Sequence, residues 1–287
     1  MKIFHCDHCE QLVFFENTQC VSCGHVLAFL PDLFEIGSLE AAGDQLWRSP
    51  LAASEGHTYR LCENYQTANV CNWAIPSDDV NSLCSSCRLT RVVPNLSQPG
   101  NQEAWYRLEV AKRRLVYNAL SLRLPLRSKT DDAAHGLAFE FVADPPGPDN
   151  PPALTGHAQG VISINVAEAD DAEREKRRLA LHEPYRTLLG HFRHESGHYY
   201  WDRLVNGTDR IDCFREMFRR RAPGLRAGVA GTLCKRPCAR LAAAIRHRLC
   251  QLTPMGRLGR DLGPLPAHDR YARDRRGVRR VAEADAA

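Results

Sequence analysis

The sequence predicts an α+β protein with a metal-stapled front, a mixed helix–strand body and a basic tail. Three observations carry that expectation. Eight of the 12 cysteines lie within the first 87 residues. Helical and strand periodicities then follow one another through the middle of the chain. Charge, finally, is split: residues 219–287 hold 17 of the 38 Lys+Arg but 5 of the 34 Asp+Glu, so the tail carries +12 and residues 1–218 carry −8. An acidic body argues against a phosphate-binding surface, and hence against nucleic acid as a partner.

At 287 residues the chain can form one large domain or two smaller ones. Its 44% hydrophobic and 25% charged residues are ordinary for a globular protein. No apolar run approaches the ~20 residues that cross a bilayer, so no membrane association is expected. The start, MKIFHCDHCEQ, has no apolar signal-peptide core, so a cytoplasmic location is expected. In that reducing compartment cysteines bind metal more often than they form disulfides.

The front comes first. Cys6, Cys9, Cys20 and Cys23 form two C-x2-C knuckles separated by ten residues. Each knuckle turns two thiolates toward one ion, and two knuckles close a tetrahedral structural zinc site. Apolar residues between them (Leu12, Val13, Phe14, Phe15) suit a short hairpin. Cys62, Cys71, Cys84 and Cys87 form a second set, in which the last pair alone has knuckle spacing. A segment so poor in apolar periodicity seldom folds without a metal, so a second structural zinc is expected there. His5, His8 and His25 read as bystanders, because four thiolates already complete the first site.

In the body, Trp105, Leu108, Leu115, Val116 and Leu120 approximate helical spacing. LAFEFVAD (137–144) alternates as a strand, a proline-rich turn follows, and Val161, Ile162, Ile164 and Val166 mark another strand. Residues 170–204 read as one or two helices, with Pro184 as the break. The second helical stretch carries His194-Glu195-Ser196-Gly197-His198, an H-E-x-x-H pattern. On a helix the two histidines are one turn apart on the same face and converge on one zinc ion. Glu195 lies beside that face, able to take a proton from a metal-activated water without ligating. The pattern implies hydrolysis of a peptide or protein substrate. Tyr199, Tyr200 and Trp201 read as packing residues, and His182 and His191 as structural or exposed ones.

With those motifs in place, the front knuckles, CNWAIP…LCSSCRLTRVVPNLS, EADDAEREKRR and EPYRTLLGHFRHESGHYYWDRLV resemble a bacterial zinc-binding metallopeptidase family. That family joins an N-terminal zinc ribbon to a zincin-like domain. The resemblance covers residues 1 to about 218. It implies His194 and His198 as ligands of a catalytic zinc and Glu195 as the base. It further implies a later helix resembling Pro-Trp-Glu-Asp-Trp-Ala-Glu-Thr-Trp-Ala-His, with an acidic residue that completes the zinc site.

No such segment is present in this frame. After Phe218 the chain turns rich in Arg, Ala, Gly and Pro and loses Phe and Trp altogether. Residues 254–264, PMGRLGRDLGP, can be encoded so that reading one base later yields the eleven-residue family motif, all three tryptophans included. An extra base near the codons for Phe218 and Arg219 would explain this, making residues 219–287 an out-of-frame tail. Cys234, Cys238 and Cys250 then bind nothing by design; Asp261, His268 and Asp269 are the weak substitutes on offer. The expected organisation is a ribbon at 1–35, a second zinc-binding segment at 36–100, a truncated zincin-like domain at 101–218 and the tail at 219–287. The competing functional class is a binding module, in which the ribbons recognise nucleic acid or a protein. Oligomeric state is not legible.

Overall fold

The computed structural model describes residues 2–144, 153, 155–180, 182 and 186–219. The tail beyond Arg219 therefore lies outside the described residues, as do Cys234, Cys238, Cys250, Asp261, His268 and Asp269. The chain divides into two compact units. One comprises residues 1–156 and 160–192, the other residues 157–159 and 193 onward.

In the first unit, β1 (Phe4–His5) and β2 (Leu12–Val13) pair antiparallel, Phe4 opposite Val13, with the first knuckle between them. Both knuckles turn in the same way. The residue after the second cysteine is left-handed in each, Glu10 at φ 60 and Gly24 at φ 75. Its N–H donates to the carbonyl of the first cysteine, at 2.8 Å for Cys6 and 2.9 Å for Cys20. Glycine meets that φ without strain; Glu10 does not, and the turn holds it there.

A five-stranded antiparallel sheet follows, in the order β3 (Val26–Leu30), β4 (Glu35–Ala41), β5 (Trp47–Arg48), β6 (Tyr59–Leu61) and β7 (Ala74–Pro76). β4 runs across the boundary that the sequence suggests near residue 35. One-turn α1 (Glu63–Gln66) starts directly after Cys62. Phe15, Phe29, Trp73 and Tyr117 make the aromatic centre of this unit, Phe29 lying 4.7 Å from Trp73 and 5.6 Å from Tyr117 between ring centroids. Tyr117 belongs to α2 (Asn101–Ser121), so that cluster welds the cysteine-rich front to the long helix.

α2 packs on a sheet in which β9 (Ala138–Val142) lies between β8 (Thr90–Val92) and β11 (Val161–Asn165), parallel to both. Sheet and helix share a buried charge pair: Lys112 and Glu109 are both fully enclosed, 2.7 Å apart. Thr90 Oγ1 and Trp105 Nε1 also donate to Glu109, at 2.8 and 3.3 Å. Burying two charges costs several kcal/mol each unless such partners satisfy them.

A 3-10 turn (Val166–Ala169) leads into α3 (Asp171–Ala180), whose start Asp170 caps by accepting from Glu173 N–H at 2.8 Å. α4 (Leu188–Leu204) follows, so the chain resolves the expected helical stretch into two helices. Thr187 Oγ1 accepts from Gly190 N–H at 3.1 Å, a cap at α4's first turn. Phe192, fully buried, sits 5.6 Å from Phe139 and 6.2 Å from Phe141, anchoring the front of α4 on β9. Glu168, also buried, receives Arg186 at 2.6 Å and faces His191 Nδ1 at 3.5 Å.

The second unit takes over along α4 and contains α5 (Ile211–Arg219) together with residues 157–159, most of the short strand β10 (Gly156–Ala158). Trp201 and Phe214 stack edge-on within it, 4.3 Å between centroids. Among the described residues no helix is long and apolar enough to cross a membrane.

Candidate metal centres

The first four cysteines meet as the sequence implies. The Sγ atoms of Cys6, Cys9, Cys20 and Cys23 all lie within 4.8 Å of one another. Cys6 and Cys23 are 3.7 Å apart, Cys9 and Cys20 3.6 Å. A disulfide would need about 2.05 Å. Four sulfurs at about 2.3 Å from one zinc stand about 3.8 Å apart, close to the spacing here. Without an ion the thiols are mutually antagonistic. Burial pushes Cys6 up to about 12, whereas the Cys23 backbone N–H leads a set of hydrogen bonds that hold Cys20 at about 6. A divalent cation removes the conflict by letting all four ionise.

The second set meets too, although one pair alone has knuckle spacing. Cys62, Cys71, Cys84 and Cys87 are all buried and their Sγ atoms lie within 4.8 Å of one another. Cys71 and Cys84 are 3.8 Å apart, again a zinc–thiolate edge length. Backbone N–H groups are aimed at the sulfurs: Cys84 donates to Cys62 at 3.3 Å, Trp73 to Cys71 and Cys87 to Cys84 at 3.4 Å. Donors of this kind favour thiolate over thiol. Cys62 comes from the end of β6 and Cys71 from just before β7, so the sheet brings these two together.

The third centre is on α4. His194 and His198 place their Nε2 atoms 3.2 Å apart, with ring centroids 4.8 Å apart and planes at 82°. Two nitrogens at 2.0–2.1 Å from a tetrahedral zinc stand about 3.3 Å apart, so the pair fits one ion as it stands. An imidazole N–H···N hydrogen bond has a similar length. Burial, and then the neighbouring His194, lower the pKa of His198 and so favour the neutral ring, which carries the ligating lone pair. Glu195, one position on from His194, is buried.

One residue of this centre was missed at the level of sequence. His157, on β10, lies 6.5 Å from His198 with ring planes within 12°, and 6.3 Å from Tyr199. It stands alone in Gly-His-Ala-Gln-Gly, and no spacing rule links it to a motif more than thirty residues downstream.

Comparison with known proteins agrees with this division. Residues 101–225 match the model of a family described as "Putative zinc-binding metallo-peptidase", and residues 3–98 match that of a zinc-ribbon domain. Among curated proteins the chain is 40% identical over 219 residues to uncharacterized proteins of Mycobacterium tuberculosis and Mycobacterium bovis. The alignment takes in 76% of this chain but 59% of each relative, so the chain spans about three-fifths of their length. No solved structure matches it. The chain thus joins an N-terminal zinc-ribbon domain to a domain of the zinc-binding metallo-peptidase family.

Proposed function

We propose that this protein is a zinc-dependent peptidase whose ribbons hold structural zinc and whose α4 holds the catalytic ion. The observation that carries the reading is the His194–His198 pair, 3.2 Å apart at Nε2, with buried Glu195 beside it in a domain of this family. Zinc held by these histidines would supply Lewis acidity for the scissile carbonyl and for a water molecule. Glu195 acts as the general base: its carboxylate takes the proton of the attacking water and passes it to the departing amine. The substrate is a peptide or protein.

Two histidines do not complete a catalytic zinc site. We place the third ligand on the downstream helix that the other reading frame encodes, and the surplus base near the codons for Phe218 and Arg219. The chain as written should therefore bind the α4 zinc weakly and hydrolyse peptides poorly, and resequencing that stretch of the gene is the direct check. In a frame-restored protein, Glu195→Gln should keep zinc and lose about 10²–10⁴-fold in peptide hydrolysis. Unchanged hydrolysis in that variant would overturn the peptidase reading. Glu195-dependent hydrolysis by the present chain at near-stoichiometric zinc would overturn only the missing-ligand part.

A further inference from the structure

The two histidines flanking the first ribbon do more than sit near it. His8 Nδ1 or Nε2, a His25 ring nitrogen and Cys23 Sγ all lie within 4.8 Å of one another. The two rings stack 3.9 Å apart between centroids, with planes at 29°. His25 Nδ1 is buried and has no hydrogen-bond partner. A buried ring nitrogen with nothing to bind is costly, and a lone pair or N–H left that way calls for an occupant.

The chemistry beside it points to a cation. Four thiolates around one zinc leave a net charge of about −2. A sulfur bound to one ion also keeps lone pairs that can bind a second. Cys23 is the sulfur placed to do so, being half-buried rather than enclosed like Cys6 and Cys20. His8 is exposed, which leaves a side of the site open to water. Two imidazoles and one thiolate form a donor set for a borderline or soft ion such as Zn²⁺ or Cu⁺, not for Mg²⁺ or Ca²⁺.

We propose that His8, His25 and Cys23 form a second metal site on the first ribbon, in which the Cys23 thiolate bridges a peripheral zinc-class ion to the zinc of the four-thiolate site. Small rotations of the imidazoles bring their nitrogens from stacked to converging. This inference does not depend on the peptidase reading. It needs only an occupied first ribbon.

The test is to load the full chain with cadmium-113 and record its NMR spectrum beside that of His8→Ala/His25→Ala. A bridging sulfur transmits cadmium–cadmium coupling, so the wild-type first-ribbon signal should be split by a neighbour. The double variant should lose the splitting and one equivalent of bound metal while keeping its tetrathiolate signals. Other thiols and histidines bind equally in both proteins and cancel. Equal metal content together with an unsplit first-ribbon signal in the wild type would overturn the proposal. Should the variant fail to fold, which loss of its tetrathiolate signals would report, the wild-type splitting still decides.

Discussion

At the scale of single residues, the determining choices are polar groups placed beside sulfur. Arg88, next to Cys87, pairs with Asp79 and also donates to the Leu83 carbonyl at 2.7 Å, just before Cys84. The loop that carries the last two ligands of the second site is thereby tied down. Burial alone would raise Asp79, but hydrogen bonds from Arg88 and Asn81 outweigh it and hold the carboxyl at about 2. A depressed carboxyl stabilises the fold above its unfolded pKa and loses that contribution only as pH falls through the folded value. At neutral pH the contribution is present in full. Asp79→Asn should accordingly cost on the order of 2 kcal/mol near neutrality, read as a lower denaturant midpoint with unchanged slope. The C-x2-C spacings were legible because a knuckle is a local turn. The membership of Cys71 could be guessed only from count and proximity, since its meeting with Cys62 is made by paired strands.

At the scale of elements, the helices were readable and the ribbon sheet was not. α2 exposes its period through Trp105, Leu108, Leu115 and Val116, all of them buried. β3, by contrast, reads Val-Leu-Ala-Phe-Leu with its last four residues buried, so both faces are covered and no alternation marks it as a strand. β5 is two residues long and exists through its neighbours. α4 depends on what holds its front. Phe192 against Phe139 and Phe141 is the apolar part of that hold, and Glu168 with Arg186 is the charged part. Phe192→Ala should cost about 3–5 kcal/mol of stability, measured by thermal unfolding, because it opens a cavity at a fully buried ring. Glu168→Gln leaves the largely buried Arg186 without its carboxylate and should cost about 3 kcal/mol or more. Wild-type melting temperatures in either variant would show that α4 is held by something else.

At the scale of the whole molecule, the first unit is built around metal as much as around apolar packing. Cys20 and Cys62 sit at 1% and 0% exposure within the same unit as the Phe29–Trp73 cluster. Structural zinc in small domains contributes roughly 10 kcal/mol or more, so its loss is not absorbed. Stripping zinc with a strong chelator should lower the melting temperature sharply and abolish cooperative unfolding of residues 3–98, and readdition should restore both. Melting that is indifferent to chelation would mean that the eight thiols pack as ordinary core residues.

What the sequence determined by itself is chemistry fixed by local geometry. Two knuckles, an H-E-x-x-H on a helix and a period-3.6 stripe each lie within one or two turns of chain, where spacing dictates which side chains share a face. The recoded tryptophan motif also belongs to the sequence alone, because it is a property of codons and lies outside the described residues. The tertiary structure decided the non-local part. It gathered Cys62 and Cys71 at adjoining strands, buried Glu168 against Arg186, put His157 beside His198 and stacked His8 on His25 over Cys23. Those meetings depend on strand register and loop path. These are set by burying apolar area across tens of residues, and no spacing in the chain encodes them.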